Sequence, residues 1–184
     1  MTLSPKAIQA PHPPLWIGAR GPKAIRRAAK MGANLMTTLG PDPAPLYIDT
    51  LKELGKDPAN FKIAQLRMVY CADSEDQAWE DIQHHLAHVF GYYEAVLKEA
   101  GDVEGDELSM PFSSPEEIRD SVLAETAIMA GTVEQVSDKI SDFKKNFECT
   151  DFILSSHFAG IDPRKSSYSN ALFAKHVMPK FKGS

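Results

Sequence analysis

The stretch PLWIGARGPKAIRRAAKMGANLMTT, residues 14–38, sets an apolar run, a glycine corner, a basic amphipathic pattern and a second apolar run end to end. The preceding PHPP, residues 11–14, blocks a helix and imposes an extended lead-in. LWIGA is then too short and too apolar for a surface helix and reads as a buried strand. From Pro22 the period changes. Ala24, Ile25, Ala28 and Ala29 share one face, Lys23, Arg26, Arg27 and Lys30 lie on others, and Gly32 is a stop signal. ANLMTT, residues 33–38, is a second short strand, so the stretch reads as strand, tight corner, helix, strand.

The same rhythm continues outward. LGPDPAP breaks the chain, and Leu46, Ile48, Leu51 and Leu54 recur near helical spacing up to Gly55. FKIAQLRMVYCA, residues 61–72, reads as a strand with β-branched and aromatic residues towards its end. A long helix follows, capped by Ser74, with acidic residues in its first turn. Asp102 to Pro115 is polar and rich in turn formers and reads as a loop insert. Ser114, Pro115 and Glu117 carry the pattern of a helix start, predicting a helix from there to Gly131, and Thr132 with Gln135 repeats that pattern for the next. TDFILSSHFAG, residues 150–160, is a last strand, and SSYSNALFAKHVMPKF closes the chain as an amphipathic helix. Four strand–helix pairs result, with strands near Leu15, Leu35, Val69 and Ile153. Their continuously apolar centres suit a parallel sheet covered on both faces, and the class is α/β.

A chain of 184 residues is long enough for one full core, so a single domain over 1–184 is expected. No apolar run reaches the ~20 residues of a membrane span, and the first ten residues lack a signal-peptide core, which gives the expectation of a soluble, cytoplasmic protein with no membrane partner. A net charge of −5 argues against nucleic acid as a partner. Cys71 and Cys149 form neither a metal-ligand pair nor a disulfide framework and read as free thiols.

The corner carries the chemistry. A strand ending in Gly18-Ala19-Arg20-Gly21 before a helix points unpaired backbone N–H groups at a positive helix end, where small residues let an anion approach. Arg20 adds a charged fork, and Thr37 and Thr38 at the end of the neighbouring strand offer hydroxyls. A plain tight turn with Arg20 in solvent is the alternative. Other candidates are fewer. His84 and His88 in HHLAH have the i, i+4 spacing of zinc-binding helices, but His85 stands where the general-base Glu belongs and no third ligand is evident, so no metal is expected. Ser155, Ser156 and His157 follow the last strand, where a polar strand end and a pocket lining both fit. Trp16, Trp79, Tyr92 and Tyr93 fit either packing or a substrate pocket.

PHPPLWIGARGPKAIRRAAKMGANLMTT resembles the "PPxWIGAxGPxAxRRAAxxG" pattern of the bacterial luciferase-like monooxygenases. AGTVEQVSDKISDFKKNFECTDFILSSHFAGID is similar to that family's "GTPEQVxxxIxxF…DxFIL…G", with Val133 where the family has Pro, and LFAKHVMPKF to its closing "FAxEVMPxF". The resemblance runs from about Ser4 to Phe181. It implies a partial TIM barrel, the four βα units of the second half of a (β/α)8 barrel. It further implies FMN or a deazaflavin coenzyme as cofactor and a small organic substrate, with the flavin phosphate held at Gly18, Ala19, Arg20, Gly21, Thr37 and Thr38. His157, beside Ser155 and Ser156, is then the first choice for contact with flavin or substrate. A barrel of this kind takes ~250 residues. Half a barrel leaves strand edges and an apolar inner face open, so a homo-oligomer or a barrel-completing chain is expected. The functions implied are the C-terminal portion of a flavin-dependent monooxygenase or a non-catalytic flavin-binding or assembly module.

Overall fold

The apolar runs on either side of the glycine corner form neighbouring parallel strands in the computed structural model, which describes residues 4, 6–10, 12–38, 42–100 and 114–182. Strand β1, Trp16–Gly18, pairs with β2, Asn34–Thr37, in the register Gly18↔Met36. Between them runs helix α1, Pro22–Met31. Gly32 ends it in the left-handed region, φ 68°, and returns its N–H to the Ala28 and Ala29 carbonyls, a conformation that costs a residue with a Cβ. Helix α2, Ala44–Glu53, follows, and β2 then pairs in parallel with the first residues of β3, Ile63–Cys71.

These elements belong to the first of two compact units, Met1–Gln65 with Phe147–Phe152. Its core is Ile25, Ala28, Ala29, Leu35, Tyr47, Leu51 and Ile63. Register places Ile17, Leu35 and Ile63 side by side on one face of the sheet, and α1 and α2 cover that face. Tyr47 donates its hydroxyl to the Ala33 carbonyl at 2.5 Å, and burial pushes its pKa up to about 12. The expected burial of β1 is not met: Leu15 and Trp16 are 47% and 39% exposed, and Ile17 is half-buried against the core.

The second unit comprises Leu66–Asn146 and Ile153–Ser184. The later part of β3 pairs in parallel with β4, Ile128–Gly131, in the register Val69↔Met129. Helix α3, Glu75–Ala100, packs Ala78, Trp79, Ile82, Leu86 and Phe90 inward. Its Ser74 cap accepts from the Gln77 N–H at 3.1 Å, as expected. Helix α5, Val133–Asn146, buries Val136, Ile140 and Phe143, and the fully buried Arg67 guanidinium lies 4.5 Å over the Phe143 ring. Strand β5, Asp151–Ser155, also pairs with β3, and α6, Pro163–Leu172, follows it.

The α/β class with parallel strands stands, but the expected helix from Ser114 to Gly131 does not. Pro115–Ile118 is a single 3₁₀ turn, α4 is confined to Val122–Thr126, and IMAG is a fifth strand, buried throughout. Four apolar residues fit a buried strand as well as a helix end, and the pairing with Met68–Cys71 decides between them. The Thr132–Gln135 capping box forms as expected, with Gln135 Oε1 accepting from the Thr132 N–H at 2.9 Å and Thr132 Oγ1 from the Gln135 N–H at 3.3 Å. Gly131 before it has φ 143°, and a Cβ there would lie 2.6 Å from Gln135 Oε1. The closing helix is also less regular than its pattern. Pro179 has no N–H for the Lys175 carbonyl, and the backbone widens to a π turn over Phe173–Val177 before a 3₁₀ turn at Met178–Phe181. The loop insert expected at Asp102 to Pro115 lies, up to residue 113, outside the described residues.

Candidate functional site

In the first unit the glycine corner sits at the C-terminal end of β1. The Ala19 N–H donates to the Met36 carbonyl at 3.0 Å, tying the corner to the end of β2 and so to Thr37 and Thr38. The Ala24 and Ile25 N–H groups turn back to the Gly21 carbonyl, so Gly21 caps α1 with extended backbone, φ −78°, and no side chain. The first-turn N–H groups ahead of them, at Gly21 and Lys23, precede any intrahelical acceptor.

Neither glycine of the corner is demanded by its backbone conformation or by packing against the described residues. Gly18 and Gly21 both lie outside the left-handed region, and a Cβ built on either meets no atom of the described residues within 4 Å. Both positions therefore border open space among the described residues, next to the start of α1. Arg20, the residue before Gly21, is exposed. The two threonines separate: Thr37 is 4% exposed on the covered face with Leu35, whereas Thr38 is half-buried. Of the two residues, Thr38 is the more accessible.

In the second unit Ser155 and Ser156 are half-buried and His157 is exposed at the end of β5. His157 does not pair with its sequence neighbours. Its Nδ1 lies 3.1 Å from the hydroxyl of Ser166, a buried residue of α6 that sequence reasoning passed over. A polar cluster that sequence reasoning also missed lies at the C-terminal end of β3. The Asp81 carboxylate, 8% exposed, accepts from Tyr70 Oη at 3.0 Å, Gln77 Nε2 at 2.9 Å and Lys165 Nζ at 2.5 Å. Burial, and then Asp81 itself, hold the Tyr70 hydroxyl above its ordinary pKa, so it is a donor and not a base. These groups line a cavity of about 380 Å³ together with Cys71, Asp73 and Tyr168. A second cavity of about 420 Å³ opens at the ends of β3 and β4, between Thr132, Glu134, His176 and Lys180.

Among the described residues, no three His, Cys, Asp or Glu side chains gather where they could hold a metal ion. His85 Nδ1 is instead 2.9 Å from the Ala159 carbonyl. No helix of the described residues is long and apolar enough to cross a membrane.

A family model for luciferase-like monooxygenases matches residues 1–147, which includes the corner, β1 to β4 and α5. The chain belongs to this family. A relative in Acinetobacter baylyi, the oxygenase component of a flavin-dependent trigonelline monooxygenase, is 25% identical over 191 residues, covering all of this chain and 52% of its own. Among solved structures, the monooxygenase RslO1 from Streptomyces bottropensis superposes with a TM-score of 0.70 at 22% identity, over 97% of this chain and 51% of its own. The oxygenating constituent of 3,6-diketocamphane monooxygenase from the CAM plasmid of Pseudomonas putida, solved in complex with FMN, superposes with a TM-score of 0.69 at 18% identity, over 92% of this chain and 49% of its own. The luciferase-like chain therefore carries the α/β fold of these proteins, part of a (β/α)8 barrel, and spans about half the length of the relatives it matches.

Proposed function

We propose that residues 1–184 act as a single luciferase-like half-barrel domain, the C-terminal portion of a flavin-dependent monooxygenase, and that the Gly18–Gly21 corner holds the flavin phosphate. The observation that carries this reading is the pair of glycines which neither their backbone conformation nor packing against the described residues requires, set before the N-terminus of α1 inside the family match. In it the Gly21 and Lys23 N–H groups and the Arg20 guanidinium bind the phosphate, with the Thr38 hydroxyl as a further donor and Thr37 closing the strand end behind it. Ser155, Ser156 and His157 line the flavin or substrate pocket. FMN is the cofactor favoured, since one structural neighbour holds it, and a deazaflavin coenzyme is the alternative. The flavin would supply the oxygen chemistry on a small organic substrate, while the protein binds and orients it. The protein would work in the cytoplasm, as a homo-oligomer or with a barrel-completing chain.

A specific observation favours a second reading. The chain spans about half of its relatives, and a module that binds flavin or assembles with another chain without turnover fits that length. Oxygen-dependent consumption of substrate separates the two, because the module binds FMN and consumes nothing.

Titration with FMN at several salt concentrations tests the corner directly. Arg20→Ala is expected to weaken binding by about tenfold or more, the usual weight of a charge-assisted hydrogen bond, and to flatten the salt dependence. Gly18→Ala is expected to leave the urea midpoint unchanged while lowering FMN affinity, because its Cβ enters the open space next to α1. If both variants bind as the parent chain does at every salt concentration, the phosphate lies elsewhere.

A further inference from the structure

Helix α6 is attached to the second unit by a different kind of contact from α3 and α5. Those two bury Trp79, Ile82 and Leu86, or Val136, Ile140 and Phe143. Of the ten residues of α6 only Ser166 and Ser169 are buried, and no apolar side chain is. Four polar contacts hold it down. Lys165 Nζ reaches Asp81 at 2.5 Å, Ser166 Oγ lies 3.1 Å from His157, Tyr168 Oη donates to Asp73 at 2.6 Å, and Ser169 Oγ accepts the Cys71 N–H at 2.8 Å. Apolar anchors flank the helix instead, Ile161 before it and Phe173 and Val177 in the π turn after it.

We propose that Pro163–Leu172 is a releasable strap over the C-terminal end of β3, which lifts between its apolar anchors and widens the polar cavity of which it forms one wall, so that larger small molecules can enter. Water can replace each contact that is lost, so the net cost of release is small compared with stripping an apolar stripe from a core. The buried charge is not stranded either. When Lys165 leaves, Asp81 keeps Tyr70 and Gln77, which come from β3 and α3 and not from the strap. A freed helix of ten residues is marginal in water, so release and local unravelling go together. With the strap down the cavity measures about 380 Å³ and Arg164, Lys165 and Tyr168 line it from the strap side; lifting them leaves Tyr70, Cys71, Gln77 and Asp81 as its floor. The opening is independent of the flavin reading, because it rests on the second unit alone.

Cys71 reports on the strap. It is 1% exposed, its backbone N–H is bonded to Ser169, it lines the cavity, and burial pushes its thiol up to about 11, so its modification is expected to be slow with the strap down and faster with the strap lifted. The experiment is the rate of Cys71 modification in a Cys149→Ser chain, with amide exchange followed by mass spectrometry in parallel. The rate is expected to be nearly flat at low urea and to rise with added salt. Tyr168→Phe should raise it about fivefold, the population change that one ordinary hydrogen bond carries. Lys165→Gln should raise it too, and Lys165→Arg should restore it. Amides of the strap are expected to exchange ahead of those in α5. If Cys71 modification instead shows the steep urea dependence of α5 exchange and ignores salt and Tyr168→Phe, the strap opens only when the unit unfolds and the proposal fails.

Discussion

Helices α1 and α6 are each ten residues long, each has a proline in its first turn and each follows a strand, yet they are fastened by opposite means. Helix α1 presses Ile25, Ala28 and Ala29 into an apolar core. Helix α6 presents Ser166 and Ser169, at the same three-residue spacing that puts Ile25 and Ala28 on one face. Small residues let both helices come close to their neighbours. The hydroxyl makes the difference: Ser169 uses close approach to accept the backbone N–H of Cys71, whereas Ala28 and Ala29 use it to exclude water. Two helices of one length can thus be a permanent wall or a detachable cover, depending on whether the contact is apolar area or exchangeable hydrogen bonds.

Truncation of the apolar contact gives the largest expected effect. Ile25→Ala should lower stability by about 3 kcal/mol, since it removes a buried side chain and leaves a cavity in the core of the first unit. Leu172→Ala, at a half-buried position of α6, should cost below about 1 kcal/mol. Urea unfolding of the two variants measures both, and equal losses would erase the contrast. Next in size is Ser169→Ala. It leaves the Cys71 N–H without its acceptor at a buried position, an expected loss of about 1–2 kcal/mol, unless water follows into the gap. Solvent protection of the Cys71 amide distinguishes these outcomes, and an unchanged amide with unchanged stability would show that the serine only fills space.

The same contrast explains what could be read from the residues alone. The wall was legible. Pro22, the Ile25–Ala28–Ala29 face and the Gly32 stop are all local signals, and each is present in α1 as expected. The strap was not, because a polar helix face looks the same whether it meets water or a strand end. His157 was singled out for its position, but its partner Ser166 lies nine residues on, and only the fold brings them together. Asp81 did carry a signal. It falls three residues after Ala78 and one before Ile82, on the buried side of α3, where a carboxylate demands partners. Strand β4 was hidden for a different reason: four apolar residues have no period of their own, and the neighbour that makes them a strand, Met68–Cys71, lies some sixty residues earlier. The corner glycines were legible as a turn, whereas only the fold shows that neither their backbone nor packing against the described residues needs them.

The smallest effect concerns how the two helices begin. Gly21 caps α1 with no side chain and no acid stands in its first turn, so nothing at that end titrates at low pH. At α6, Asp162 accepts the Arg164 N–H at 2.9 Å and the Arg164 guanidinium at 2.8 Å. The guanidinium first, and then the backbone N–H, lower its pKa from 3.8 to about 2. A carboxylate depressed in the folded state contributes stability that is present above its unfolded pKa and is lost as pH falls through the folded value. The cap of α6 should therefore weaken between about pH 4 and pH 2 while that of α1 does not. The pair is exposed and screened, so carboxyl NMR is a better probe than a melting curve. A titration midpoint near 2 for Asp162, moving up in Arg164→Ala, is the expected result. A midpoint at the ordinary 3.8 would mean that neither the guanidinium nor the Arg164 N–H holds the carboxylate, and the strap would then begin with a bare helix end like that of α1.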